Sequence, residues 1–205
     1  MYIQMCVKGI AGRDETHPVG VSWDEAQGLV RDRTGILSNW WRVRGQIRPC
    51  EVADVLNERN LDRHLHDYAV FGNETPFISL AAGAVERDTL LRRNFQYDAR
   101  DTALAFATED WSRPGALFYC WVPTSLNRAV PLGFVAEAVR DLLVYRAWSP
   151  WQLEGEITAK VHIPSNQIQR VEWWDGSVDR QAPQFTLEND NYVAPALVTN
   201  LRDLF

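Results

Sequence analysis

Residues 115–123 (GALFYCWVP) form an unbroken apolar run in a chain that elsewhere mixes polar and apolar residues freely. Half-buried strands alternate, so a run without alternation predicts a strand covered on both faces. The chain has 205 residues, 46% of them hydrophobic, which suits one compact domain. No apolar stretch approaches the roughly 20 residues of a membrane span. The apolar content is too high for a disordered chain, and nothing recurs at solenoid spacing. No basic segment followed by an apolar one opens the chain, so no secretory signal is expected, and the expected location is cytoplasmic.

Charge and cysteine usage narrow the classes further. A net charge of −6 argues against a protein that coats nucleic acid, although Arg87, Arg92, Arg93 and Arg100 fall close enough together to form a local basic groove. Only Lys8 and Lys160 among the 21 basic residues are lysine, a bias that genome composition explains. Cys6, Cys50 and Cys120 contain no CxxC pair and read as buried or free thiols. No GxGxxG or GxxxxGK[ST] phosphate loop occurs. The histidines show no ligand spacing, because His64 and His66 would point from different faces of a helix, and no metal is expected.

The remaining segments predict an α+β fold with mostly antiparallel pairing. Residues 1–8 alternate as a strand. Ser22 and Glu25 form a capping box at the start of a helix that Gly35 ends. Residues 39–47 (NWWRVRGQI) read as a strand carrying Arg42 and Arg44. Helices are expected over 50–57, 60–70, 98–108 and 133–144, and a closing helix over 193–203. In the 98–108 helix Ala99, Ala103, Phe106 and Ala107 supply the apolar face. Strands are expected over 76–80 (PFISL), 153–163 (LEGEITAKVHI) and 166–174, with a polar, turn-rich tail over 175–191.

Three elements carry candidate chemistry. Glu154 and Glu156, two apart on a strand, project from one face with Cα atoms about 6–7 Å apart. Paired carboxylates at that range suit glycosidic-bond chemistry, and a solvated strand edge is the plain alternative. Arg42, beside Trp40 and Trp41, suits bidentate phosphate binding or simple stacking on an aromatic ring. Ser79 is a hydroxyl on a mostly buried strand and needs a partner, either a backbone carbonyl or a catalytic carboxylate.

In order and spacing these elements resemble the R-S-E group of ADP-ribosyltransferases, the cholera-toxin-like branch. The match runs through Trp41-Arg42, then Arg48-Pro49-Cys50-Glu51-Val52, then Phe77-Ile78-Ser79. It ends on Leu153-Glu154-Gly155-Glu156-Ile157 and covers about two-thirds of the chain, residues 39–174. The family's Ser-Thr-Ser reads Ser79-Leu80-Ala81 here, so only the first serine is kept. The resemblance implies an ADP-ribosyltransferase-like fold of split sheets with flanking helices. It makes about 39–174 the core of a single domain over 1–205, with the N-terminal strand and helix and the C-terminal tail as elaborations.

It also implies NAD as co-substrate. Arg42 would hold its phosphates, with Arg44 as the alternative one register step away on the same face. Ser79 would orient Glu156, and Glu156 would bind the nicotinamide ribose and stabilise the oxocarbenium ion. Glu154 would deprotonate an acceptor, typically a guanidinium, whose pKa above 12 makes a nearby base necessary. Phe95 and Tyr97 would stack on nicotinamide, with core packing as the alternative. Trp148 and Trp151 would grip the target from the loop before the glutamates, or else cover the core edge. The expected acceptor is a protein arginine, with nucleic acid as the other class. An NAD glycohydrolase and a non-enzymatic interaction domain are the rival functions. A toxin acting in a target cell is one setting for such a chain.

Overall fold

The computed structural model describes residues 2–45, 49–81, 99–125, 136–138, 156–176 and 182–195. Its longest pairing joins the first strand to the apolar run. β1 (Tyr2–Ala11) and β4 (Gly115–Ser125) lie antiparallel in register from Tyr2↔Thr124 to Ala11↔Gly115. The N-terminal strand is therefore part of the core, not an elaboration on a core of 39–174.

β4 is covered on both faces, as its composition requires. Ala116, Phe118, Cys120 and Val122 pack into one cluster with Ala26 and Val30 of α1 (Trp23–Arg31). Leu117 packs into another with Ala103, Leu104 and Ala107 of α6 (Ala99–Thr108). The first helix starts as expected, with Ser22 Oγ accepting from Glu25 N–H at 3.2 Å and Glu25 accepting from Ser22 N–H at 2.8 Å. Of the expected apolar face of α6, Ala103 and Ala107 are buried but Phe106 is 52% exposed. The correction follows from helix geometry, since Ala103, Leu104 and Ala107 already fill the stripe against the sheet.

The remaining strands complete a mostly antiparallel sheet. β3 (Phe77–Ala81) pairs with β1 and with β6 (Glu156–Lys160). β5 (Ala136–Ala138) pairs with β6 and, in parallel, with β4. On the edge opposite β1, β4 also pairs with β8 (Ile168–Trp174), which pairs with β9 (Phe185–Glu188). The pairings β1–β3, β3–β6, β6–β5, β5–β4 and β4–β1 close a circuit. A separate two-stranded sheet joins β2 (Ile36–Leu37) to β7 (His162–Ile163).

Four expectations are corrected. Residues 39–47 are not a strand: α2 (Asn39–Arg44) is a short helix. Ser38 caps it by accepting from Trp41 N–H, and Gly45, at φ 75°, ends it. The short aromatic run fits both periods, and the cap decides for helix. The strand expected over 153–163 breaks at Val161, whose φ of 65° is rare for a β-branched residue. Val161 N–H donates to Pro76 O at 2.7 Å and its carbonyl accepts from Ser38 N–H at 2.8 Å, so the break hands the chain from β6 to β7 and braces α2. Residues 136–138, expected to be helical, are strand β5. The polar stretch 175–191 contains β9.

The helices expected over 50–57 and 60–70 appear as α3 (Pro49–Val55), α4 (Glu58–His66) and α5 (Tyr68–Phe71). Residues 196–203 of the expected closing helix lie outside the described residues.

α6 approaches the sheet backbone closely at two glycines. A Cβ on Gly9 would collide with the Ala103 carbonyl oxygen, and one on Gly115 would lie 2.6 Å from the Ala107 carbonyl oxygen. Backbone cannot yield as a side-chain tip can. Gly9→Ala should therefore cost about 1–3 kcal/mol of stability, read as a lower urea midpoint at an unchanged m-value.

Candidate active site

Where β1, β3, α4, α5 and α6 converge they enclose a cavity of about 380 Å³. Its polar lining includes Lys8 from β1, His64 from α4, Ser79 from β3 and Thr102 from α6, while Tyr68 and Phe106 form part of its aromatic wall. Tyr68 and Phe106 are both more than half exposed, at 53% and 52%, so the aromatic wall reaches the surface.

His64 is the centre of a hydrogen-bonded chain. Its Nε2 lies 2.9 Å from Ser79 Oγ, and its Nδ1 lies 2.8 Å from Thr75 Oγ1. Thr75 Oγ1 also accepts from Phe77 N–H at 3.2 Å. The imidazole packs edge-on to Tyr68, at 5.5 Å between centroids, and tilted against Phe77. Burial first, then the positive charge of Lys8, pulls the His64 pKa down to about 3. The ring is neutral at physiological pH.

Strand register brings the candidate serine and glutamate segments together. Ser79 lies opposite Thr158, and Ala81 lies opposite Glu156, across the antiparallel β3–β6 pair. Alternation puts positions 156 and 158 on one face of the strand. Thr158 is fully buried, and its Oγ1 has no hydrogen-bond partner among the described residues.

The expected phosphate-binding arginine is placed elsewhere. Arg42 and Arg44 are exposed on helix α2, with the Arg44 guanidinium 5.2 Å from the Trp40 ring centroid, and neither lines the cavity. The cation on the described wall is the half-buried Lys8. Glu154, Phe95, Tyr97, Trp148 and Trp151 lie outside the described residues, as do Arg87, Arg92 and Arg93. Arg100 faces the Trp174 ring at 5.5 Å and pairs with Asp101.

The sequence reading missed Lys8, His64, Thr75 and Thr158. One signal was present for His64: it falls between Leu61 and Leu65 on the buried stripe of α4. His66 lies off that stripe, as the spacing implied, and its Nδ1 lies 3.1 Å from Asp62 Oδ1. Cys120 is buried, and burial pushes its thiol up to about 12, so it is no nucleophile. Among the described residues no cluster of three His, Cys, Asp or Glu side chains is arranged to hold a metal.

No protein-family model and no curated protein matches this chain. Solved structures do. EcPltA superimposes with a TM-score of 0.50 over 93% of this chain and 88% of its own, at 14% identity. The fold is that of the ADP-ribosyltransferase toxins. A heat-labile enterotoxin mutant, described for the flexibility of an active-site loop in its A subunit, matches over 92% of this chain and 75% of its own. That match has 15% identity and a TM-score of 0.40. A double mutant of heat-labile enterotoxin matches over 91% and 62%, at 15% identity and a TM-score of 0.43. Within this ADP-ribosyltransferase fold, β3 and β6 are the strands that bear the serine and the second glutamate of the resemblance.

The His64 shift has a thermodynamic consequence. Unfolding restores an ordinary histidine, near 6.5, so below that pH the unfolded chain binds a proton that the folded chain refuses until about pH 3. Stability should therefore fall as pH drops through 6.5, with a slope of up to about 1.4 kcal/mol per pH unit from this group. Urea unfolding between pH 4.5 and 7.5 should show that slope in the wild type. His64→Gln should flatten it.

Proposed function

We propose that the protein is an NAD-dependent mono-ADP-ribosyltransferase. The observation that carries this reading is the β3–β6 register, which sets Ser79 opposite Thr158 and the position of Glu156 opposite Ala81, beside a cavity holding Lys8 and His64. In a chain of this fold, a serine in the cavity wall and a glutamate two positions from its cross-strand partner suit the nicotinamide ribose.

The chemistry follows from those groups. The bond between ribose C1′ and the nicotinamide nitrogen breaks, its electron pair leaves with nicotinamide, and positive charge develops on the sugar. Glu156 is assigned to the ribose hydroxyl and to stabilising that charge, with Ser79 bridging toward it. Lys8 is assigned to the diphosphate. Lysine meets a phosphate as a point charge, without the two-pronged geometry of arginine. Glu154 is assigned to the acceptor nucleophile. A guanidinium acceptor stays protonated at neutral pH and must lose a proton as it attacks. We therefore place the acceptor as an arginine of a protein, with ADP-ribose transferred to one of its nitrogens.

Incubation with NAD should release nicotinamide, and label from the ADP-ribose half should appear on protein rather than on nucleic acid. Glu156→Gln should abolish release, and turnover that survives this substitution would overturn the assignment. Release with no labelled acceptor would redirect it to NAD hydrolysis. Lys8→Ala should lower kcat/KM for NAD by about 10- to 100-fold, the equivalent of one charge-assisted hydrogen bond, whereas Lys8→Arg should keep most of it.

A further inference from the structure

The chain of hydrogen bonds through His64 has a direction, and counting donors reveals it. Thr75 is 1% exposed, and among the described residues its hydroxyl makes two hydrogen bonds, accepting from Phe77 N–H and sharing the bond with His64 Nδ1. If Nδ1 carried the imidazole proton, Thr75 Oγ1 would accept twice. Its own hydroxyl proton would then be buried without an acceptor among the described residues. A buried donor left unmade costs about 1–3 kcal/mol. If Nδ1 is bare, every buried donor up to Ser79 is used: Phe77 N–H to Thr75, Thr75 O–H to His64 Nδ1, and His64 Nε2–H to Ser79 Oγ.

We propose that Thr75 is a positioning residue that locks His64 as the Nε2–H tautomer and so makes Ser79 a donor into the cavity. Ser79 Oγ receives its hydrogen bond from His64, which leaves its own hydroxyl proton directed to an oxygen acceptor, either a carboxylate or a sugar hydroxyl. With the opposite tautomer Ser79 would spend that proton on His64 and present only lone pairs. Thr75 thus sets the polarity of a group it does not touch, from outside the cavity lining. The buried, neutral imidazole suits this role, since a charged ring would donate at both nitrogens and leave the Thr75 hydroxyl proton without its Nδ1 acceptor. The role of Ser79 toward substrate rests on the transferase reading above, whereas the tautomer does not.

The test separates the two. Long-range 15N–1H spectra of the full chain labelled in histidine distinguish protonated from bare ring nitrogens, and His64→Gln assigns the signal. The wild type should show His64 with Nε2 protonated and Nδ1 bare. Thr75→Val, which keeps the shape and removes the hydroxyl, should release the tautomer or invert it, while Thr75→Ser should restore it. Ser79→Ala should leave Nε2–H in place, because Thr75 is the group that decides.

An Nδ1–H imidazole in the wild type overturns the proposal, and so does a Thr75→Val spectrum like that of the wild type. If Thr75→Val fails to fold, the wild-type and Ser79→Ala spectra decide. Nicotinamide release should fall about tenfold in kcat in Thr75→Val with little change in KM, and recover in Thr75→Ser. A wild type with the expected tautomer and no nicotinamide release would sink the transferase reading and leave the assignment of Thr75 to the imidazole standing.

Discussion

Burial of β4 on both faces is the constraint from which the rest of the architecture follows. An apolar strand must have a strand on each edge and a layer on each side, because its side chains are driven out of water and its buried amides then need hydrogen-bond partners. β1 and β8 supply the edges, and α1 and α6 supply the layers. α6 packs so closely on β1 and β4 that only glycine fits at positions 9 and 115. The same closeness places one end of β1, with Lys8, against α4 and α6, and the cavity opens there. Arg113, 7% exposed, ties the loop after β1 to the turn before β4 by donating to the carbonyls of Gly12 and Val19 and pairing with Glu109 at 2.9 Å.

The cavity combines a cation with a chain of neutral polar groups. Burial and Lys8 together keep His64 uncharged, so its hydrogen bonds have a definite direction and do not compete as two donors. Ser79 joins that chain on one side and faces Thr158 across the strand pair on the other. Positive charge from Lys8 stands beside this neutral network.

Much of the fold was legible in the sequence where one period dominated. The capping box at Ser22 and Glu25 and the apolar strand appear where residue pattern put them, and β6 forms within the alternating segment up to the break at Val161. Reading was least secure where two periods fit equally. Six residues from Asn39 to Arg44 satisfy a strand or a helix turn, and the deciding groups, Ser38 and Gly45, lie at the ends. Removing that strand also removed Arg42 from the cavity wall. The resemblance had placed Ser79 and Glu156 on strands in sound order, and β3–β6 pairing brings those strands together. Lys8 was passed over because a lone lysine on a strand carries no motif, and His64 because its partners are 11 and 15 residues away.

The sequence by itself determined that one strand has two apolar faces, where the first helix begins, and that Ser79 and Glu156 sit on strands. These are local matters, decided by side-chain periodicity and by caps within a few residues. Only the tertiary structure decided which cation stands at the cavity, and that a threonine and a histidine on separate segments align with Ser79. Those facts depend on register between strands far apart in the chain, and on how closely α6 approaches β1. Pairing energy across the whole sheet sets both, and no short stretch of residues encodes it.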